Sequence, residues 1–329
     1  MADLELISVI DNVGNIQGEL TSGDTTDDTN LRLSGTVTAG LAVTIYDGNV
    51  ELGEATVTGT DWTYHAALAS GGSYYLNIKA TDSTGNEIAV TPDFSVMTDT
   101  EAPFIMMADV TDDVGSVSGS LTSGDRTDDT SLLLSGFSEP GATVTIYDGG
   151  VYVGEVITDD DAYWAYSATL TNGEGYDFTA TATDAAGNES GATASFAVTA
   201  DTSAPEVSID VVTDDVGSVT GTLTSGDRTD DTNLLLSGTV EAGSTVKVYN
   251  GDELLGDAIV ESNGDWTYRA SLTNGNDYQL NVKATDVAGN ESDATSDFNV
   301  TVDTDIAPPS IVLDSAGEDG IYNAAELGA

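Results

Sequence analysis

The chain has no cysteine, a single histidine (His65) and only 7 Lys and Arg against 57 Asp and Glu, for a formal charge of −50 over 329 residues. Each shortage removes a class of chemistry. Without cysteine there are no disulfide staples, so stability must come from a sizeable core or from bound metal. With one histidine and no thiol, an ordinary zinc or copper site is excluded, and so is a Ser–His or Cys–His nucleophile pair. His65 is also replaced by Ser167 and Arg269 at the equivalent positions described below, which reads as an outward-facing surface site. So few basic side chains exclude nucleic acid as a partner, because phosphate recognition needs clustered Lys and Arg. An anionic membrane surface is excluded on the same ground. No apolar run approaches the ~20 residues that span a bilayer, so direct membrane insertion is not expected. The opening Met1-Ala-Asp-Leu-Glu-Leu lacks the positive and apolar regions of a signal peptide, and an export signal is expected to lie outside this stretch.

What is present is repetition. Trp62, Trp164 and Trp266 recur at intervals of 102 residues, as do Thr81-Asp-Ser-Thr-Gly-Asn86, Thr183-Asp-Ala-Ala-Gly-Asn188 and Thr285-Asp-Val-Ala-Gly-Asn290. Ser22-Gly-Asp24, Ser123-Gly-Asp125 and Ser225-Gly-Asp227 step by 101 and then 102, so copy one is a residue shorter between Gly53 and Trp62. A period near 100 residues is that of a whole domain with its own core, not of a solenoid turn. The expected domains are 1–100, 101–202 and 203–304, followed by a truncated fourth piece, 305–329.

Each copy alternates apolar and polar residues with period two, has turn signals between the runs and shows no helical periodicity. In copy three, Leu234 and Leu236 point inward while Leu235, which is Arg32 in copy one, points outward. Asn250-Gly251 marks a hairpin, and Trp266, Tyr268 and Ala270 share a face, as do Tyr278, Leu280, Val282 and Ala284. About seven short strands per ~100 residues read as an all-β fold of tandem immunoglobulin-like β-sandwich domains. Tyr74, Tyr176 and Tyr278 open the penultimate strand and fit either a tyrosine corner or a plain core aromatic.

The joints concentrate acid. Asp99-Thr-Glu-Ala-Pro103, Asp201-Thr-Ser-Ala-Pro205 and Asp303-Thr-Asp-Ile-Ala-Pro308 sit where one copy meets the next. In a sandwich of this topology the passage between the first two long strands meets the linker and the Asp-X-X-Gly-Asn loop of the following copy. Asp24, Asp27, Asp28, Asp99, Glu101, Asp184 and Asn188 should therefore gather at the first joint. Asp125, Asp128, Asp129, Asp201, Asp286 and Asn290 should gather at the second, and Asp227, Asp230, Asp231, Asp303 and Asp305 at the third. Two carboxylates ~4 Å apart repel by roughly 4 kcal/mol at an effective dielectric of 20, so either the loops splay or a cation sits among them. Ca²⁺, which takes six to eight carboxylate and carbonyl oxygens in flexible geometry, is the expected ion, ahead of the stricter Mg²⁺. Asp also favours turns for its own hydrogen-bonding reasons, which is the plain alternative at every one of these positions.

The passage from Asp214 to Thr232, followed by Leu-Ser-Gly-Thr-Val-Glu-Ala-Gly-Ser-Thr-Val-Lys-Val-Tyr, Gly-Asp-Trp-Thr-Tyr, Ala-Thr-Asp-Val-Ala-Gly-Asn-Glu-Ser and Asp-Thr-X-Ala-Pro, resembles the tandem bacterial Ig-like repeats of giant Ca²⁺-dependent RTX adhesins of biofilms, exported by type I secretion. The resemblance spans all three copies. It implies a non-catalytic extender on the bacterial cell surface, an elongated rod stiffened by Ca²⁺ that projects a distal binding domain. It also implies that the partners are the neighbouring Ig-like domains of a monomeric chain. The Gly-rich nonapeptide repeat of such adhesins is absent. Asp314–Glu326 resembles the opening of another Ig-like subtype and loosely echoes an EF-hand loop, with Ser315 at the first ligand position. A carbohydrate- or protein-binding module is the alternative function, as is a surface-coat segment. Against a lectin, the outward aromatics Tyr75, Tyr152 and Tyr163 do not recur in every copy.

Overall fold

In a computed structural model, residues 3–305 are described; the expected fourth piece lies, apart from Asp305, outside them. The chain divides into two compact units, 1–203 with copies one and two, and 204–329, whose described part is copy three. Among the described residues all regular structure is strand.

Copy one shows the plan. Its strands are β1 (Leu4–Asp11), β2 (Gly18–Glu19), β3 (Thr25–Thr26), β4 (Asn30–Val37), β5 (Ala42–Asp47), β6 (Val50–Glu54), β7 (Thr56–Thr58), β8 (Asp61–Ala67), β9 (Ser73–Thr81), β10 (Glu87–Val90) and β11 (Phe94–Thr98). One sheet runs β2-β1-β4-β8-β7 and the other β3-β11-β9-β5-β6, with β10 added beside β9. The polar passage after β1 contributes a short strand to each sheet. β3 pairs parallel with β11, Thr25 opposite Met97, while the other pairings are antiparallel. After the β5–β6 hairpin the chain crosses from one sheet to the other, β6 pairing with β5 and β7 with β8. Copy three repeats this crossing at Ala258, and in copy two Val151–Ile157 stays in the second sheet. The β10 counterparts shrink to single bridges, Thr183–Glu189 and Thr285–Glu291.

Alternation places the inward residues as expected. Leu234, Leu236, Val246, Val248, Trp266, Ala270, Leu280, Val282 and Ala284 are buried in the core of copy three, and equivalent sets fill the other two. Trp62 lies on Gly35, and its Nε1–H reaches the carbonyls of Glu5 (3.2 Å) and Thr36 (3.3 Å). A Cβ at Gly35 would fall 1.9 Å from the Glu5 carbonyl oxygen, and Gly136 and Gly238 are equally tight against Met106 and Ser208. Each penultimate-strand tyrosine forms a true corner: its hydroxyl accepts the backbone N–H five residues upstream, at 2.8 Å for Tyr74, 2.8 Å for Tyr176 and 2.7 Å for Tyr278.

The trailing end of each sandwich is closed by a clasp of two buried carboxylates around one threonine. Asp11 Oδ1 accepts the Val13 N–H and its Oδ2 accepts the Thr26 hydroxyl, while the same hydroxyl oxygen accepts the Asp28 N–H. Asp28 accepts from Asn30 (2.7 Å) and Asn12 (3.2 Å). Asp214–Thr229–Asp231 repeats the arrangement, and so does Asp112–Thr127–Asp129, except that Asp129 Oδ2 is buried without a hydrogen-bond partner. Backbone donors are what make such buried anions tolerable, and removing one leaves the anion underserved.

Two substitutions test this packing. Gly35→Ala should cost about 1–3 kcal/mol through overpacking against the Glu5 carbonyl and Trp62, read as a lower denaturation midpoint. Thr26→Val, which keeps the volume but strips the donor from Asp11, should cost about 1–3 kcal/mol, and an unchanged midpoint would contradict the clasp.

Candidate functional site

The first joint lies inside the 1–203 unit. β11 ends at Thr98, and the linker begins pinned to copy one: the Asp99 N–H donates to the Thr26 carbonyl (2.9 Å), and the Thr100 N–H donates to Ser70 Oγ (3.0 Å). Asp99 Oδ1 accepts the Glu101 N–H (3.0 Å), and Pro103 is buried. Proline fixes φ and disfavours the helical region for the residue before it, so the linker leaves copy one extended.

From copy two comes the loop 184–188. Asp184 Oδ1 accepts the N–H groups of Ala186, Gly187 and Asn188, each at 2.9 Å, and Oδ2 accepts the Asn188 side-chain amide (2.8 Å). Gly187 takes φ +98°, which a side chain would strain. This self-held loop meets copy one directly. The Ala186 carbonyl accepts the Asp27 N–H (3.3 Å), and Asn188 Nδ2 donates to the Asp99 carbonyl (3.0 Å). Asn15 Nδ2 donates to Glu189 (2.8 Å), and Gly187 lies against Ile16, where a Cβ would come within 3.0 Å of the Ile16 nitrogen.

These contacts press acids together. Burial pushes the Asp27 carboxyl above the usual carboxylate range, helped by the charges of Asp11, Asp28 and Asp184 and partly offset by a backbone hydrogen bond. Asp27 Oδ1 is buried without a hydrogen-bond partner. Glu139, in the turn after Ser131–Ser138, is likewise pushed up by burial first and then by Asp184, Asp99 and Glu101. Copies two and three place an arginine on the joint aspartate: Arg126 Nη1 is 2.8 Å from Asp201 Oδ2, and Arg228 Nη1 is 2.9 Å from Asp303 Oδ2. Copy one has Thr25 at that position.

The other expected ligands divide by what already occupies them. Asp24, Asp125 and Asp227 each close a turn with Thr21, Thr122 and Thr224, whose N–H and hydroxyl both donate to the carboxylate. Asp28, Asp129 and Asp231 belong to the buried clasps. Asp184 and Asp286 hold their own loops, and Asn188 serves as donor; the Asn290 side-chain amide bonds Asp286 (2.9 Å). Asp128 and Asp230 stand where Asp27 stands, each beside a glycine, Gly115 and Gly217. Asp305 donates its N–H to Asp303 (3.1 Å). The expected ligands of the second joint are divided between the two units, Asp125, Asp128, Asp129 and Asp201 on the first and Asp286 and Asn290 on the second.

Asp27, Asp99 and Glu101 are thus the expected ligands of the first joint least committed to other donors. Glu139 is the addition that sequence reasoning missed. Its signal was present: the turn position reads Glu139 and Glu241 in the copies that follow another copy, and Thr38 in copy one. The donor chemistry, carboxylates and backbone carbonyls alone, fits a hard divalent cation. Among the described residues, however, no three acidic or histidine side chains are arranged to hold one metal ion as they stand.

Comparison with known proteins agrees with the fold. The bacterial Ig-like domain profile matches residues 4–100 and 206–304, and a bacterial Ig domain profile matches residues 122–200. No curated protein matches the chain. Among solved structures, the fibronectin(III)-like modules of Clostridium thermocellum CbhA are 16% identical over 55% of this chain and 90% of theirs, with a TM-score of 0.35. A biofilm associated protein BSP domain is 13% identical over 92% of this chain and 67% of its own, with a TM-score of 0.21. The Bacteroides ovatus glucan-utilisation protein SGBP-B, solved with a mixed-linkage heptasaccharide, is 16% identical over 96% and 75%, with a TM-score of 0.20. Likenesses this distant carry no function across. The profile match covers more than half of the sequence, on sandwiches built as described above, and the chain belongs to the bacterial Ig-like domain family.

Proposed function

We propose that this chain is a spacer segment of a secreted bacterial surface adhesin, whose sandwiches are locked to one another at their joints by Ca²⁺. The observation that supports it most is the first joint. There the carboxyls of Asp27 and Glu139 are pushed up by burial and by neighbouring acids, and Thr25 stands where the other copies carry arginine. Asp27, Asp99, Glu101 and Glu139 would hold the ion, which when bound supplies positive charge and oxygen coordination. The chain's own work is positional. The Asp184 loop presents a carbonyl and an amide to copy one, the clasp holds the 12–28 passage in place, and the proline-terminated linker restricts the swing between sandwiches. Catalysis has no support, since the acids are spread over loops and His65 is exposed. A spacer of this kind works outside the cell, where millimolar Ca²⁺ matches the ~10⁻⁴–10⁻³ M affinity of extracellular modules.

Thermal melts and small-angle scattering, with 10 mM Ca²⁺ and with a chelator, test the proposal. Each bound ion should add about 1.4–2.7 kcal/mol at that concentration, raising the melting temperature, and the scattering should report a more extended chain. Superimposable melts and profiles would refute it.

Asp27→Asn separates the two roles of the carboxylate. A carboxyl raised in the folded state costs stability above its folded pKa and stops costing as pH falls through that value to the ordinary one near 4. In chelator at neutral pH the variant should therefore melt higher than the parent, and the gap should close as the pH is lowered towards 4. In Ca²⁺ the order should reverse, because the variant has lost a ligand. A variant that melts lower in chelator would contradict the repulsion.

A further inference from the structure

The trailing end of copy three presents the same receiving surface that copy one presents to copy two. Its clasp, Asp214–Thr229–Asp231, is formed. The Asp303 N–H donates to the Thr229 carbonyl (2.8 Å), as that of Asp99 does to Thr26 (2.9 Å), so the Asp303 carbonyl is set where Asn188 finds its acceptor in the first joint. Val219 occupies the place of Ile16 and Asp230 that of Asp27. The difference lies in what covers them. Ile16 is 52% exposed beneath the Gly187 loop, whereas Val219 is 80% exposed. Asp27 is half-buried with its N–H on the Ala186 carbonyl, whereas Asp230 is exposed and its N–H has no acceptor among the described residues.

We infer that this end of copy three is a docking surface for a further sandwich domain carried on the same polypeptide, whose leading loop reads Asp-X-Ala-Gly-Asn. The first joint defines what such a loop must supply. It needs a carbonyl at the Ala186 position for the Asp230 N–H, and a side-chain amide at the Asn188 position for the Asp303 carbonyl. It also needs a glycine without Cβ over the apolar residue, here Val219. Asp at the loop's first position holds all three in place by accepting three N–H groups on one oxygen, so the loop arrives preformed and loses little entropy on docking. The small residue before the glycine matters as well: Ala186 is 2% exposed in the joint, while the leading loop of copy one has Thr84 there. Charge decides for a domain in the same chain over a second molecule. Two chains of −50 repel, whereas a short linker gives a tethered domain an effective concentration in the millimolar range. The docking rests on hydrogen bonds and shape, so it goes beyond the spacer reading and does not depend on the cation.

Amide hydrogen exchange tests it, on the unmodified chain and on one in which residues 203–304 are repeated once more after Thr304. Both are measured in Ca²⁺ and in chelator. In the unmodified chain the Asp27 amide should be protected and that of Asp230 should exchange at least tenfold faster. In the lengthened chain Asp230 should slow by a similar factor in either medium, and the appended counterpart of Gly289→Val should abolish this while the core amides of the appended domain stay protected. Gly187→Val in the unmodified chain should release Asp27 in the same way. Asp230 exchanging as fast as before in both media, beside a folded appended domain, would overturn the inference. So would protection that survives the glycine substitution. Protection of Asp230 in the unmodified chain that grows with protein concentration would also overturn it, by assigning the face to a second copy. Ca²⁺ dependence of melting is read separately, so the spacer reading and the docking can fail independently.

Discussion

Hydrogen bonds to backbone amides are what allow this chain to gather so many carboxylates at its domain ends. Asp184 carries three N–H groups on one oxygen; the Asp11 carboxylate accepts the Thr26 hydroxyl and one backbone N–H, and the Asp28 carboxylate accepts two backbone N–H groups. An anion satisfied in this way can be buried and can shape a loop. Where such donors run out, at Asp27 and Glu139, burial and neighbouring acids push the carboxyl up instead. Carboxylates with several amide donors shape the loops and the clasps, whereas Asp27 and Glu139 lie mainly among other acids.

The three trailing ends solve the same electrostatic problem in two ways. Copies two and three bring Arg126 and Arg228 onto the joint aspartate, from the strand that pairs parallel with the last one. Such exposed pairs contribute at most ~1 kcal/mol, enough to orient Asp201 and Asp303 but not to neutralise a cluster. Copy one has Thr25 there, and its joint adds Glu101 and Glu139 to the acids already present.

Glycine does separate work in the core and at the joint. Gly35, Gly136 and Gly238 let a neighbouring backbone carbonyl and the core tryptophan approach to distances no Cβ would permit. Gly187 does the same between domains, bringing copy two onto Ile16 while adopting a left-handed φ. Both uses make a close contact possible, one within a sandwich and one between two.

The repeats, the all-β class and the inward faces were legible in the residues themselves, because strand alternation and a period near 100 are local and repeated signals, while the choice between a tyrosine corner and a plain core aromatic needed the hydroxyl contacts of the folded chain. The sequence likewise shows which loops are acidic and, through topology, which of them meet. It does not distinguish an aspartate that closes its own turn from one left facing a neighbour, since both favour the same Gly- and Thr-rich surroundings. Asp184 and Asp27 look alike as letters; only folding gives one its amide donors and the other its acidic company. The same holds for Glu139, and for Arg126 with Asp201, whose partners lie tens of residues away. Burial and distance decide the charge balance at a joint, and both are properties of the packed chain.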